Sequence, residues 1–181
     1  MTKHILLGVT GSIAAYKAAD IANQFTKYGY TVDVIMTQSA ERFITPLTFQ
    51  SLTKRKVYTD MFEEIVPSEI KHISLAKRAD LCLIAPASAN IIGKLASGIA
   101  DDFLSTVMMA VRDKPIYIAP AMNTNMYENP IVQDNIQKLL RFGYQVIEPK
   151  EALLACGDLG KGALADVSVI VEKIKKEIEQ I

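Results

Sequence analysis

An α/β fold built on a doubly wound, Rossmann-like parallel sheet with helices on both faces is what this 181-residue sequence predicts. Three observations lead there. Short apolar runs alternate with helical patterns, the first apolar run ends in a Gly/Ser turn, and 50% of the residues are hydrophobic, enough for one sizeable core. The strands read as Ile5–Val9, Thr31–Met36, Leu81–Ala85, Ile116–Ala119 and Tyr144–Ile147. Each is short and nearly all apolar, as in a parallel strand covered on both sides. Between them the predicted helices are Ile13–Lys27, Ala40–Leu52, Ala89–Val111 and Asn125–Leu140. In the first, Ile13, Ala14, Ala18, Ile21, Ala22 and Phe25 recur at helical spacing, and Gly29 suits the position just past the end. A last helix, Val167–Ile181, carries Val167, Ile170, Val171, Ile174 and Ile178 on one stripe, which predicts packing on the sheet. No stretch reads as a linker, so residues 1–181 are expected to form one domain. Two segments, Lys54–Lys71 and Glu148–Asp166, fit no element and are candidate lids or binding loops.

Charge narrows the function classes. The 20 Lys and Arg balance the 20 Asp and Glu, and the basic residues are scattered. Such a chain has no field to attract nucleic acid or acidic lipid, which favours a small-molecule substrate. No run approaches the about 18 uninterrupted apolar residues of a membrane helix, so a cytoplasmic protein with no membrane partner is expected. Cys82 and Cys156 form no CxxC pair, which predicts neither a disulfide framework nor a metal site.

The first strand runs into Gly8-Val9-Thr10-Gly11-Ser12-Ile13-Ala14-Ala15. Backbone N–H groups at such a helix start can bind an anion, and Ser12 adds a hydroxyl; Ser12 as a simple helix cap is the alternative. A dinucleotide fingerprint would need a third glycine and an acid at the end of the second strand. This chain has Ala14-Ala15 and then Met36-Thr37-Gln38-Ser39. Hydroxyls at Thr37 and Ser39 would donate to a terminal phosphate that a carboxylate would repel, which suits a mononucleotide such as FMN. A Walker loop is excluded, because no Gly-Lys-Ser/Thr follows the strand.

Two further strand ends are unusual. One leads into Pro86-Ala87-Ser88-Ala89-Asn90 and then the small-residue segment Gly93–Asp102; the other leads into Pro120-Ala121-Met122-Asn123-Thr124-Asn125-Met126-Tyr127. Ligands of open α/β sheets bind beyond the carboxyl ends of the strands, where both would lie. Taken singly, Ser88 and Asn123 also suit helix caps, and Met122 and Met126 suit core at i, i+4 spacing.

With Gly11–Lys17, the His72 segment, Pro86–Asn90, Pro120–Met126 and Ala155-Cys156-Gly157-Asp158 in this order, the sequence resembles the homo-oligomeric flavin-containing cysteine decarboxylases. The resemblance covers almost the whole chain, and it stands nearest to members that decarboxylate phosphopantothenoylcysteine in coenzyme A biosynthesis. It implies FMN as cofactor, held by Gly11, Ser12, Ile13, Thr37, Ser39, Ser88, Ala89, Asn90 and Ala121. It implies substrate contacts from Met122, Asn123, Ala155, Gly157 and Asp158. The implied chemistry oxidises the substrate thiol to a thioaldehyde, so that carbon dioxide leaves with formation of a stabilised enethiolate; FMN takes the hydride first and later returns it. His72 is then the base, Asn123 binds the substrate carboxylate, and Cys156 is the acid that protonates the enethiolate. On its own, His72 reads more readily as structural. His4 has no match to the family. Cys82, inside Leu81-Cys82-Leu83-Ile84, reads as a buried strand cysteine, whereas Cys156 lies in a three-glycine segment where a reactive thiol fits.

Two positions depart from the pattern. Ala163 stands where many relatives have arginine, with Lys161 a possible substitute, and Tyr127 stands where tryptophan is common. The resemblance further implies a homotrimer, or a homododecamer built from trimers, with FMN between subunits. Alternatives are a decarboxylase of a peptide C-terminal cysteine, as in lantibiotic maturation, and a non-catalytic FMN-binding regulatory subunit.

Overall fold

The computed structural model describes residues 2–62, 70–153, 157 and 159–181. Six strands, β1 (His4–Val9), β2 (Thr31–Met36), β3 (Val57–Tyr58), β4 (Leu81–Ala87), β5 (Ile116–Pro120) and β6 (Gln145–Val146), form one sheet in the order β3-β2-β1-β4-β5-β6. Every pairing in it is parallel. The doubly wound prediction therefore holds. A separate antiparallel hairpin, β7 (Lys150–Leu153) with β8 (Leu159–Ala163), occupies the Glu148–Asp166 segment that fitted no element.

The helices are α1 (Ala15–Lys27), α2 (Gln38–Glu41), α3 (Pro46–Thr53), α4 (Lys71–Arg78), α5 (Ala89–Ser97), α6 (Phe103–Ala110), α7 (Thr124–Tyr127), α8 (Pro130–Arg141) and α9 (Val167–Ile178). Side chains alternate across each strand, so the sheet sorts them into two cores. Ile5, Leu7 and Val9 of β1 meet α1, α3 and α9 on one face, while Leu6 faces α4, α5, α6 and α8 on the other. The stripe read on the last helix is the one buried: Ile170, Val171, Ile174 and Ile178.

Three helices predicted as continuous are broken, each at a visible residue. Gly98, at φ 68°, ends α5, and Asp102 starts α6 with a reciprocal capping box to Ser105. Pro46 begins α3 and Pro130 begins α8, because the residue before a proline is pushed out of helical conformation. The two-residue β3 and the helix α4 were not predicted; β3 lies inside the polar Lys54–Lys71 stretch and α4 begins at its last residue.

One buried charge ties this stretch to the sheet. Asp33 of β2, its side chain 6% exposed, accepts from Arg55 Nε at 2.7 Å and Arg78 Nε at 3.0 Å. Removing it leaves two partly exposed cations without their carboxylate, and these can rehydrate, so Asp33→Ala should lower stability by about 2–3 kcal/mol, less than loss of a fully buried partner. Urea unfolding checks this: the midpoint should fall with an unchanged slope.

Candidate active site

The strand order reverses between β1 and β4, where successive connections leave on opposite faces and open a crevice. A cleft of about 870 Å³ lies there, beyond the carboxyl ends of β1, β4 and β5. Its first wall is Thr10–Ala14 with Thr37-Gln38-Ser39. A Cβ on Gly11 would lie 2.5 Å from the Cβ of Ser39, so only glycine lets these two turns touch. Contact between them brings Ser12 and Ser39 to one place. Ser12 Oγ accepts from the Ala14 N–H at 3.2 Å, and Thr37 caps α2 by accepting from the Ala40 N–H at 3.3 Å. Both hydroxyls keep a hydrogen with which to donate.

Ser88, Ala89 and Asn90 supply the second wall, with Ser88 capping α5 through the Ile91 N–H at 3.4 Å. Ala121, Met122 and Asn123 supply the third. Here capping and site reading coincide: Asn123 Oδ1 caps α7 by accepting from the Asn125 N–H at 2.9 Å, which fixes the amide at the cleft edge. Met126 is no core residue, being exposed and part of the cleft lining.

The hairpin closes the cleft with Leu153, Gly162 and Ala163. It docks on the Met122–Thr124 turn, where the Met122 N–H donates to the Gly162 carbonyl at 2.9 Å. A Cβ on Gly162 would meet Met122 O at 2.4 Å, and one on Gly160 would meet Thr124 Oγ1 at 2.5 Å. Lys161 between them points elsewhere. Its Nζ lies 2.7 Å from Glu148 Oε2, which also accepts from the Tyr127 hydroxyl at 3.0 Å, and 5.5 Å from the centre of the Tyr127 ring. The bond from Lys161, reinforced by Tyr127, holds the Glu148 carboxyl below the usual range. Lys161 is thus engaged outside the cleft, which corrects the expectation that it substitutes for an arginine at Ala163.

Among the described lining residues the cations are Lys17 and Lys94, neither assigned a role from sequence. A signal was available, since Ile13 with Lys17 and Asn90 with Lys94 stand at i, i+4 and so share a helix face. Lys94 is held by Asp101 at 2.6 Å and Asp102 at 2.7 Å. Burial works against its charge, but these two carboxylates outweigh burial and raise its pKa.

All nine residues expected to cradle the cofactor, together with Met122 and Asn123, line this one cleft. His72 does not: it is half-buried on the first turn of α4 and outside the described lining. Gly157 is exposed at φ 91°, and Ala155, Cys156 and Asp158 lie outside the described residues. Cys82 is fully buried, and burial pushes its thiol up to about 12. A thiol reagent should therefore leave Cys82 unmodified in the folded protein, and a Cys156→Ser chain should take up reagent only on unfolding, as read by absorbance of the released thiolate.

A family model described as Flavoprotein matches residues 1–179. The chain belongs to this flavoprotein family. It is 55% identical over 179 residues to a probable phosphopantothenoylcysteine decarboxylase of Streptococcus mutans, covering 98% of this chain and 100% of that one. It is 50% identical over 178 residues to the coenzyme A biosynthesis bifunctional protein CoaBC of Bacillus subtilis, covering 98% of this chain but 44% of that protein. Among solved structures, a PPC decarboxylase mutant complexed with pantothenoylaminoethenethiol superposes with a TM-score of 0.89 at 32% identity, covering 99% and 100% of the two chains. The FMN binding protein AtHal3 superposes with a TM-score of 0.90 at 33% identity, covering 100% and 99%. A flavin is accordingly the cofactor class of the family to which the chain belongs.

Proposed function

We propose that this flavoprotein is an FMN-dependent phosphopantothenoylcysteine decarboxylase, forming 4'-phosphopantetheine for coenzyme A. The observation that carries the reading is a single cleft with a hydroxyl-rich anion turn on one wall and Asn123 on another. The likeness over full length to a probable enzyme of that name supports the substrate.

The residues present fit FMN. The turn that Gly11 packs against Ser39 offers Ser12, Thr37 and Ser39 as donors, with no carboxylate among them. A phosphate monoester finds there hydroxyls and the turn that leads into α1, ahead of the Ala14, Ala15 and Lys17 N–H groups that already donate within the chain. When bound, the flavin would supply a two-electron acceptor that is reoxidised within each turnover, so the net reaction is redox-neutral. Asn123 can donate from its amide nitrogen to the substrate carboxylate without adding a positive charge that would hold it back from leaving as carbon dioxide. His72 serves as the base that removes a proton from the substrate as hydride departs, and Cys156 serves as the acid that protonates the enethiolate.

His72 stands outside the described cleft lining of its own chain, which supports its delivery from a neighbouring subunit in a homotrimer or a homododecamer of trimers. Exposed Ile13 and Tyr16 at the cleft edge support a subunit contact there. Light scattering tests the assembly; a monomer at working concentration would count against it. Balanced charge and a small-molecule substrate fit a cytoplasmic enzyme.

Substrate competition tests the reading. Phosphopantothenoylcysteine should be consumed in preference to a peptide ending in cysteine when the two are mixed. Preference for the peptide would assign the same chemistry to peptide maturation instead.

A further inference from the structure

The ladder between β1 and β4 stops short of the cleft floor. Paired positions run from Ile5 with Leu81 to Gly8 with Ile84, and the next pairing of β4, to β5, is irregular between Ile84 and Ala87. On its other side β1 continues, with the Thr37 N–H donating to the Val9 carbonyl at 3.0 Å. At the switch point the two strand ends diverge, one into the Gly11–Ser12 turn and one into Ser88–Asn90. Backbone groups of Pro86 and Ser88 that face β1 are left without a strand partner there.

Thr10 takes both. Only 1% exposed, it donates its hydroxyl hydrogen to the Pro86 carbonyl at 2.7 Å, and its oxygen accepts from the Ser88 N–H at 3.0 Å. The single hydroxyl replaces two ladder bonds and extends the β1–β4 junction beyond its last backbone pair. It also fixes Ser88 from one side while the Ser88 hydroxyl caps α5 on the other. Two walls of the cleft, Gly11–Ile13 and Ser88–Asn90, thereby take their separation from one side chain.

We infer that Thr10 is a positioning residue for the flavin: its hydroxyl clips β1 to β4 and holds the two cofactor-binding turns at the spacing FMN requires. This rests on the cleft being the FMN site proposed above. Valine has the same shape but leaves the Pro86 carbonyl and the Ser88 N–H facing a methyl group, so the junction must open or admit water. Serine keeps the hydroxyl.

The test is titration of flavin-free protein with FMN, read by quenching of flavin fluorescence, with thermal unfolding of each apo-protein as the folding control. Thr10→Val should raise the FMN dissociation constant by about tenfold or more, and Thr10→Ser should stay within about threefold of the parent. Thr10→Val binding within about twofold of the parent would overturn the inference, as would failure of serine to restore affinity lost in valine. Should Thr10→Val not fold, hydrogen exchange of the Ser88 amide in the unaltered apo-protein decides. Protection without FMN is expected, and exchange at the rate of an open loop would overturn the clip. Absence of FMN binding by the unaltered protein would count against the cofactor reading, while the Ser88 amide would still test the clip.

Discussion

Replacing Asn123 by aspartate is expected to lower kcat/KM for phosphopantothenoylcysteine by about three orders of magnitude. A carboxylate there would face the carboxylate it is meant to hold, and a like-charge contact costs several kcal/mol, about 4 kcal/mol or some thousandfold at 1.4 kcal/mol per decade. The substitution separates this role from capping. Aspartate accepts as well as asparagine, so the bond from the Asn125 N–H that starts α7 survives. Bound flavin and thermal stability should therefore change little while decarboxylation collapses. Steady-state carbon dioxide release, with flavin content as the folding control, gives the answer. Activity within about tenfold of the parent would remove Asn123 from the carboxylate site.

Cys156→Ser is expected to divide the reaction in two. Loss of a positioned acid costs about 10²- to 10⁴-fold in the step it serves, and serine, with a far higher pKa than a thiol, is a poor replacement. Oxidation and loss of carbon dioxide precede that step and should survive for one turnover. Rapid mixing should record about one equivalent of carbon dioxide per site, a flavin absorbance that bleaches and stays bleached, and an enethiol in place of the saturated thiol. Normal formation of the saturated product would assign the proton to another group. Cys82, its thiol pushed up to about 12 by burial in the sheet, is no substitute.

Much of the molecule is legible in the chain, for physical reasons that differ by region. The strands β1, β2, β4 and β5 are apolar runs buried on both faces, and their composition alone marks them. The turn after β1 could be read because glycine there answers a packing need, the 2.5 Å approach of a Cβ on Gly11 to Ser39. Strand β3 escaped because two residues carry no period, and α4 because it begins at the end of a polar segment and is tied to the sheet only in space, through Arg78 and Asp33. The same limit governs the site. Asn123, Ser88 and Ser12 stand in motifs at strand ends, so their place on the cleft could be anticipated, whereas Thr10 is joined to Pro86 and Ser88, 76 and 78 residues further along the chain. Lys161 illustrates the opposite error, a cation next to the cleft in sequence that turns away from it to Glu148. His72 was read from resemblance alone; it stands on α4, outside the described lining of the cleft, so no local pattern marks it as part of the site.

Carbon dioxide release from phosphopantothenoylcysteine by the FMN-loaded protein, with no added oxidant or reductant, probes the redox-neutral decarboxylation most directly. The expected result is one carbon dioxide and one saturated thiol, 4'-phosphopantetheine, per substrate over many turnovers, with the flavin oxidised at the end. No release, or release that halts after one equivalent until an external oxidant is supplied, would contradict it.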